Sequence, residues 1–171
     1  MKGIWRYFDL STSTYARFTG RARLVMALAD QFAGERHARE ITPEHILRGL
    51  ASGGRGAGRT VLDEMGVDLA RLLPELIDLS PLQPIASLPS MSEMASDPAK
   101  YFPEMELGPA AVECLAGAKR AAEDMKHNYI GTEHLLLGLL SQDSPAAGFL
   151  RERGISFELA RSGVCRLLYG A

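Results

Sequence analysis

Two glutamate–histidine pairs are the residues of this chain whose types and spacing best suit binding chemistry. They are Glu44–His45 in "ITPEH" and Glu133–His134 in "IGTEH", which lie 89 residues apart. A carboxylate can hold a cation, and an imidazole can accept or donate a hydrogen bond near neutral pH. Neighbouring residues on a helix point about 100° apart, so neither pair can chelate one metal ion by itself. A metal site would need further ligands, for which His37 and His127 are candidates, and we expect no such site.

Each pair lies in the first turn of a predicted helix. Thr42 is a suitable N-cap, and Pro43 fits the first helical position, where its missing N–H costs nothing. Glu44 then meets the positive end of the helix dipole, which contributes about 0.3–1 kcal/mol. On this interpretation the glutamates stabilise the helix starts. His45 and His134 are structural, as buried imidazoles whose ring nitrogens bond to backbone groups or to a neighbouring unit.

The alternative is that both helix starts bind a ligand. A first turn leaves backbone N–H groups unpaired, so it can hold an anion while the glutamate holds a cation beside it. The candidate binding residues are Thr42, Glu44, Gly131, Thr132 and Glu133. Pro43 lacks the N–H that Thr132 offers, so we do not expect the two sites to be equal.

The elements that position these pairs are two copies of one unit. Displacing the chain by 89 residues pairs Phe18 with Leu107 and Ile41 with Ile130, and the matches continue at an offset of 88. The matches extend too far for chance. We assign residues 18–79 and 107–171 to the two copies, 1–17 to an appendage, and the proline-rich segment 80–106 to a linker.

Apolar residues recur at spacings of three and four in each copy, and no stretch alternates long enough to form a sheet. Each copy contains four such segments, and the third ends at a glycine suited to a left-handed C-cap. The sequence therefore predicts an all-α protein, in which two tandem four-helix repeats form an eight-helix bundle with a pseudo-twofold axis.

Composition limits the classes of partner. The chain has 171 residues, of which 46% are hydrophobic, and its formal net charge is -2 with the signs well mixed. This balance indicates neither a nucleic-acid nor a membrane partner. Cys114 and Cys165 lie in helical patterns far apart, which favours free thiols in a reducing compartment. No signal peptide or apolar run of about 18 residues is present, so we expect a cytoplasmic protein.

Enzyme motifs are not found. "GGRGAGRT", residues 53–60, has arginine where a phosphate-binding loop needs lysine, and it follows a helix rather than a strand. We therefore expect a glycine-rich turn and no ATP binding. No G-x-S-x-G occurs, and each cysteine falls within an amphipathic helix. The chain is predicted to be non-enzymatic, with no catalytic residue and no cofactor.

The segments "FTGRARLVMALA", "VLDEMGVDLARL" and "HNYIGTEHLLLGLL" resemble the tandem N-terminal repeat domain of the Clp unfoldases, nearest to the ClpC and ClpA type. The resemblance implies a non-catalytic module that recruits substrates and adaptor proteins to an ATP-driven unfoldase working with a peptidase. In ClpC-type members the matching glutamates bind phosphoarginine, a degradation mark, which implies this role for Glu44 and Glu133.

Two features depart from the family pattern. Pro43 puts the first site in doubt, and the linker is longer than the family's connection between repeats. With no ATPase motif, the chain is either an excised domain or a free-standing relative. The unmatched first 17 residues and the linker favour a free-standing relative that acts as adaptor, substrate receptor or regulator in Clp proteolysis. The alternative is a structural accessory that docks on the Clp ring and stabilises it, with the glutamates serving only as dipole partners.

Overall fold

A computed structural model describes residues 12–35, 38–68, 71 and 106–170 of the chain. These residues form eight α-helices, and their only extended pairing is two isolated β-bridges. The helices are α1 (Thr12–Ala16), α2 (Gly20–Glu35), α3 (Pro43–Ser52), α4 (Ala57–Glu64), α5 (Pro109–Asp124), α6 (Thr132–Leu140), α7 (Pro145–Glu152) and α8 (Phe157–Tyr169). The predicted all-α class is confirmed.

The helices follow the predicted copies. Helices α5 to α8 are the four helices of the second copy, and α2 to α4 are the first three of the first copy. The predicted fourth helix of the first copy and nearly all of the linker lie outside the described residues, so the domain boundaries stay predictions. Helix α1 belongs to the segment predicted as an appendage, yet Tyr15 on it is buried and its ring stacks on Phe18.

The two β-bridges express the pseudo-twofold relation between the copies. One bridge joins Phe18 to Ile130, and the other joins Ile41 to Leu107. The 89-residue offset converts the first bridge into the second, with the copies exchanged. Backbone hydrogen bonds of 2.8–2.9 Å close each bridge. The residue just before the first helix of each copy therefore pairs with the residue just before the second helix of the other copy.

Matched glycines bring the first two helices of each copy into close contact. A Cβ on Gly49 would lie 2.4 Å from the carbonyl oxygen of Val25, and one on Gly138 would lie 2.2 Å from that of Cys114. These distances are too short for any side chain, so the backbones touch only because both positions are glycine. Cys114 is a fully buried free thiol in this contact, and its sequence match to Val25 reflects its place in the core.

Helix α6 lies at the centre of the bundle. It packs against α2, α3, α4, α5, α7 and α8, and all nine of its residues are buried. This burial explains why the second glutamate–histidine pair leads into an almost unbroken apolar run. One continuous apolar core runs through both copies around this helix. No helix within the described residues combines the length and apolar character needed to span a membrane.

Candidate ligand-binding site

Both histidines cap the start of their own helix. The Nδ1 atom of His134 accepts a hydrogen bond from the backbone N–H of Gly131 at 2.9 Å. In the first copy the Nδ1 atom of His45 accepts one from the N–H of Thr42 at 3.0 Å. Each imidazole therefore satisfies the N-cap donor, a role that a glutamate or glutamine usually has in a capping box. Helix α3 begins after Thr42, with Pro43 in its first turn, as predicted.

The protonation of His134 follows from these contacts. Its pKa is lowered to about 4, mainly by burial and also by the neighbouring His127 and Arg17, so the ring is neutral near pH 7. Because Nδ1 accepts the Gly131 hydrogen bond, the proton of the neutral ring is on Nε2. That atom lies 2.9 Å from Nδ1 of His127. His134 therefore donates to His127.

Glu133 has a buried carboxylate whose negative charge is less balanced by its neighbours than that of Glu44. The residue is 4% exposed, and its Oε1 lies 3.4 Å from Nδ1 of His134. This contact is not an ion pair, because that nitrogen directs a lone pair and not a proton towards its neighbours. Among the described residues no lysine or arginine forms an ion pair with Glu133. Burial raises its pKa, with a partial offset from a hydrogen bond to its own backbone N–H.

Glu44, the matching residue of the first copy, is engaged within the protein. Its Oε1 accepts a hydrogen bond from the backbone N–H of Ala146 at 3.0 Å, in the first turn of α7. The side chain of Glu44 thus holds α3 against α7. It is half-buried, whereas Glu133 is buried.

A different residue makes the equivalent contact in the second copy. The N–H of Gly58 in the first copy, which matches Ala146 at the 88-residue offset, donates to the Oγ1 atom of Thr132 in the second copy at 3.1 Å. Pro43 occupies the position of Thr132 in the first copy and has no hydroxyl. The threonine hydroxyl therefore accepts the hydrogen bond from the backbone N–H at the start of α4. The carboxylate of Glu133 is not needed as the acceptor of that N–H.

The glycine-rich segment 53–60 has a packing function at this point. A Cβ on Gly58 would lie 2.4 Å from the carbonyl oxygen of Thr132, and one on Gly56 would lie 2.7 Å from its Oγ1. Only glycine lets the start of α4 approach the start of α6 so closely. The glycines thus have a structural reason that is independent of phosphate binding.

Three side chains at this end of α6 have the types found in metal sites. Potential ligand atoms of His127, Glu133 and His134 lie within 4.8 Å of one another. The hydrogen bonds do not fit an ion, however, because Nδ1 of His134 accepts from Gly131 and its Nε2 carries the proton donated to His127. Metal ligation by His134 would break one of these bonds.

Comparison with known proteins decides the family. The family model for the Clp repeat (R) N-terminal domain matches residues 17–153, and again residues 106–168. This chain belongs to that family. The resemblance predicted from the three sequence segments is confirmed.

The Clp-repeat relatives are longer proteins. The chain is 31% identical over 155 residues to the chaperone protein ClpB of Oceanobacillus iheyensis and 32% identical over 155 residues to the negative regulator of genetic competence ClpC/MecB of Bacillus subtilis. Each match covers 90% of this chain but only 17% of the relative. The N-terminal domain of Hsp104 from Candida albicans shares the fold, with a TM-score of 0.63, 17% identity, and coverage of 90% of this chain and 93% of that domain.

Within this Clp-repeat fold, the predicted binding residues form two groups. Thr42 and Glu44 lie at the start of α3, with Glu44 bonded to α7. Gly131, Thr132 and Glu133 lie together at the start of α6, beside α4. The two groups are not equivalent, because the hydrogen bonds of the glutamates differ between them.

Sequence reasoning considered His127 only as a metal ligand and missed its aromatic partners beside the second group. The Nε2 atom of His127 is hydrogen-bonded to the hydroxyl of Tyr169, and the ring of Tyr129 stacks on that of His127 at 4.8 Å. His127 and Tyr129 precede the motif in the chain, which was the only available signal. Tyr169 is 42 residues from His127 and is brought there by α8.

Proposed function

We propose that this chain is a non-enzymatic protein-binding module that acts as substrate receptor, adaptor or regulator in Clp-dependent proteolysis, and that its second copy reads phosphoarginine on marked proteins. Its partners would be those marked or adaptor proteins and components of the Clp machinery. Membership of the Clp-repeat family supports the protein-binding role. Since the chain spans only 17% of its ClpB and ClpC relatives, their other activities are not transferred to it.

The observation that carries the ligand assignment is the buried carboxylate of Glu133. Burying a charge without a partner costs several kcal/mol, roughly, unless a counter-charge arrives. A guanidinium supplies that charge together with planar N–H donors that match a carboxylate. Glu133 therefore suits a guanidinium ligand better than Glu44, whose carboxylate already accepts from Ala146.

The phosphoryl half of the ligand would lie towards the first turn of α6. That end of the helix carries the positive end of the dipole and the backbone N–H of Thr132, which needs no partner within the helix. In the first copy Pro43 removes the matching N–H. The two copies are thus expected to contribute unequally, with Glu133 dominant and Glu44 secondary or silent.

Calorimetric titration with phosphoarginine tests the proposal, with arginine and inorganic phosphate titrated separately as controls for each half of the ligand. We expect saturable binding of phosphoarginine and much weaker binding of either control. Binding of all three with equal affinity would contradict recognition of the mark. No binding by folded protein would favour docking on the Clp ring, which co-purification with the unfoldase and peptidase measures.

A further inference from the structure

A chain of hydrogen bonds connects the start of α6 to the end of α8. The N–H of Gly131 donates to Nδ1 of His134 at 2.9 Å, and Nε2 of His134 donates to Nδ1 of His127 at 2.9 Å. The remaining nitrogen of His127, Nε2, then donates to the hydroxyl oxygen of Tyr169. Only one placement of protons satisfies every contact, and in it both imidazoles are neutral.

Protonation of His127 is incompatible with this arrangement. The additional proton must go to Nδ1, the atom that accepts from His134. Two N–H groups would then face each other at 2.9 Å. His134 cannot move its own proton to Nδ1, because the N–H of Gly131 points at that atom. The ring of His127 is half-exposed, so it can turn away from His134 when it becomes charged.

Charged and titratable groups from three directions surround His127. Arg17 donates to the carbonyl oxygen of His127 at 3.1 Å and lies 3.8 Å from Glu123. Tyr169 comes from α8, and Tyr129 stacks on the ring. On the side of α6 the carboxylate of Glu133 lies within 4.8 Å of a ring nitrogen. Glu133 is thus a negative group within reach of the His127 imidazolium once that ring leaves His134.

The first copy provides an internal reference. The residue of the first copy that matches His127 is Ala38, and among the described residues no second histidine is hydrogen-bonded to His45. The Nδ1 atom of His45 still accepts from Thr42. Capping by the imidazole therefore does not require a histidine at the position of His127, which points to another role for His127 in the second copy.

We propose that His127 is a pH-responsive positioning residue of the second-copy site, whose neutral form holds His134 and leaves Glu133 open to ligand, and whose protonated form pairs with Glu133 and closes the site. This inference rests on the proposed function, since it assigns a regulation to the same carboxylate. The imidazolium competes with the guanidinium of the ligand for one carboxylate. Acidification therefore releases the ligand.

The test compares the pH dependence of phosphoarginine binding in wild type and His127→Gln. Between about pH 7.5 and about pH 5.5 we expect the affinity of wild type to fall about tenfold more than that of His127→Gln. The variant controls for protonation of the ligand itself. Equal pH dependence in the two proteins would overturn the proposal.

A second readout needs no ligand, so it separates failure of the switch from failure of the proposed function. Long-range ¹H–¹⁵N spectra of the histidine rings report which nitrogen carries each proton. At about pH 7.5 we expect both His127 and His134 as Nε2–H tautomers. On acidification, the carboxyl carbon signal of Glu133 should show, besides the shift from its own protonation, a shift that follows the protonation of His127 in wild type and is absent from His127→Gln. An Nδ1–H tautomer for either ring at neutral pH would contradict the hydrogen-bond chain.

Discussion

Thr132 and Gly58 form the hydrogen bond that distinguishes the two copies. The Oγ1 atom of Thr132 accepts a hydrogen bond from the N–H of Gly58 at 3.1 Å. The matching N–H in the other copy is that of Ala146, which donates to the carboxylate of Glu44 at 3.0 Å. Because the hydroxyl of Thr132 accepts the hydrogen bond from Gly58, the carboxylate of Glu133 does not have to. A single difference, threonine against Pro43, thus separates a carboxylate engaged in packing from one suited to binding.

Replacing Thr132 by valine should destabilise the fold by about 1–2 kcal/mol, because the variant leaves the buried N–H of Gly58 without an acceptor. The midpoint of urea unfolding measures the loss. Thr132→Ser, which keeps the hydroxyl, serves as the control and should lose less than half as much. Equal losses in the two variants would show that the methyl group, rather than the hydrogen bond, matters.

Gly138 should not tolerate a side chain. Gly138→Ala places a Cβ 2.2 Å from the backbone oxygen of Cys114, and forcing α5 away from α6 should cost about 3 kcal/mol or more. Gly148 lies within α7 and has no atom within 4 Å of its Cβ position. Gly148→Ala should therefore stabilise the protein by about 0.5–1 kcal/mol. Thermal unfolding of the two variants tests both signs, and similar effects from both would contradict the packing described.

Glu133→Gln should make the protein more stable at neutral pH, by roughly 0.5–1 kcal/mol, because burial disfavours the charged carboxylate. Glu44→Gln should give no gain, since Glu44 accepts from Ala146 and faces the dipole of α3. Urea unfolding near pH 7.5 gives both values. A loss of stability in Glu133→Gln equal to that of Glu44→Gln would indicate that both carboxylates are structural.

The free energy of unfolding should rise with pH across the range in which the protonation of His134 differs between the folded and unfolded states. Its pKa is about 4 when folded, against 6.5 for the unperturbed side chain. The unfolded chain binds more protons between these values, so the free energy of unfolding gains up to about 1.4 kcal/mol per pH unit there, and the gain is complete above pH 6.5 or so. Glu133, with its raised pKa, contributes in the opposite sense.

Unfolding in the Glu133→Gln background therefore removes this opposing contribution. Circular dichroism with urea, at intervals between about pH 4.5 and about pH 7.5, supplies the slope. We expect a steeper rise with pH in this background than in wild type. A flat profile in the variant would show that His134 is not buried as a neutral ring.

Much of the fold was predictable because its signals are local or repeated. The 89-residue offset predicted two copies. The structure explains why Gly49 and Gly138 match, since each permits a close helix contact that a side chain would prevent. The helix start at Thr42 was predictable from its capping residue, and the start at Gly131 was predictable from the 89-residue match between the copies. The second-copy helices were all found, whereas the fourth helix of the first copy lies outside the described residues.

The site was less predictable, because its decisive contacts join distant segments. The hydrogen bond from Ala146 to Glu44 spans 102 residues, and that from Gly58 to Thr132 spans 74. No periodicity reports such pairs. Pro43 indicated that the copies differ, because it lacks the N–H that Thr132 has. The structure adds that Pro43 also lacks the hydroxyl of Thr132. It also shows that His134 is hydrogen-bonded to His127, which is in turn hydrogen-bonded to Tyr169.

The most direct test of ligand reading by Glu133 is phosphoarginine titration of Glu133→Gln and Glu44→Gln side by side with wild type. Both substitutions remove one charge with almost no change in shape, so each controls for the other. We expect Glu133→Gln to lose at least about tenfold in affinity and Glu44→Gln to change little. Equal affinities in all three proteins, or a loss confined to Glu44→Gln, would contradict the assignment of the ligand to the second copy.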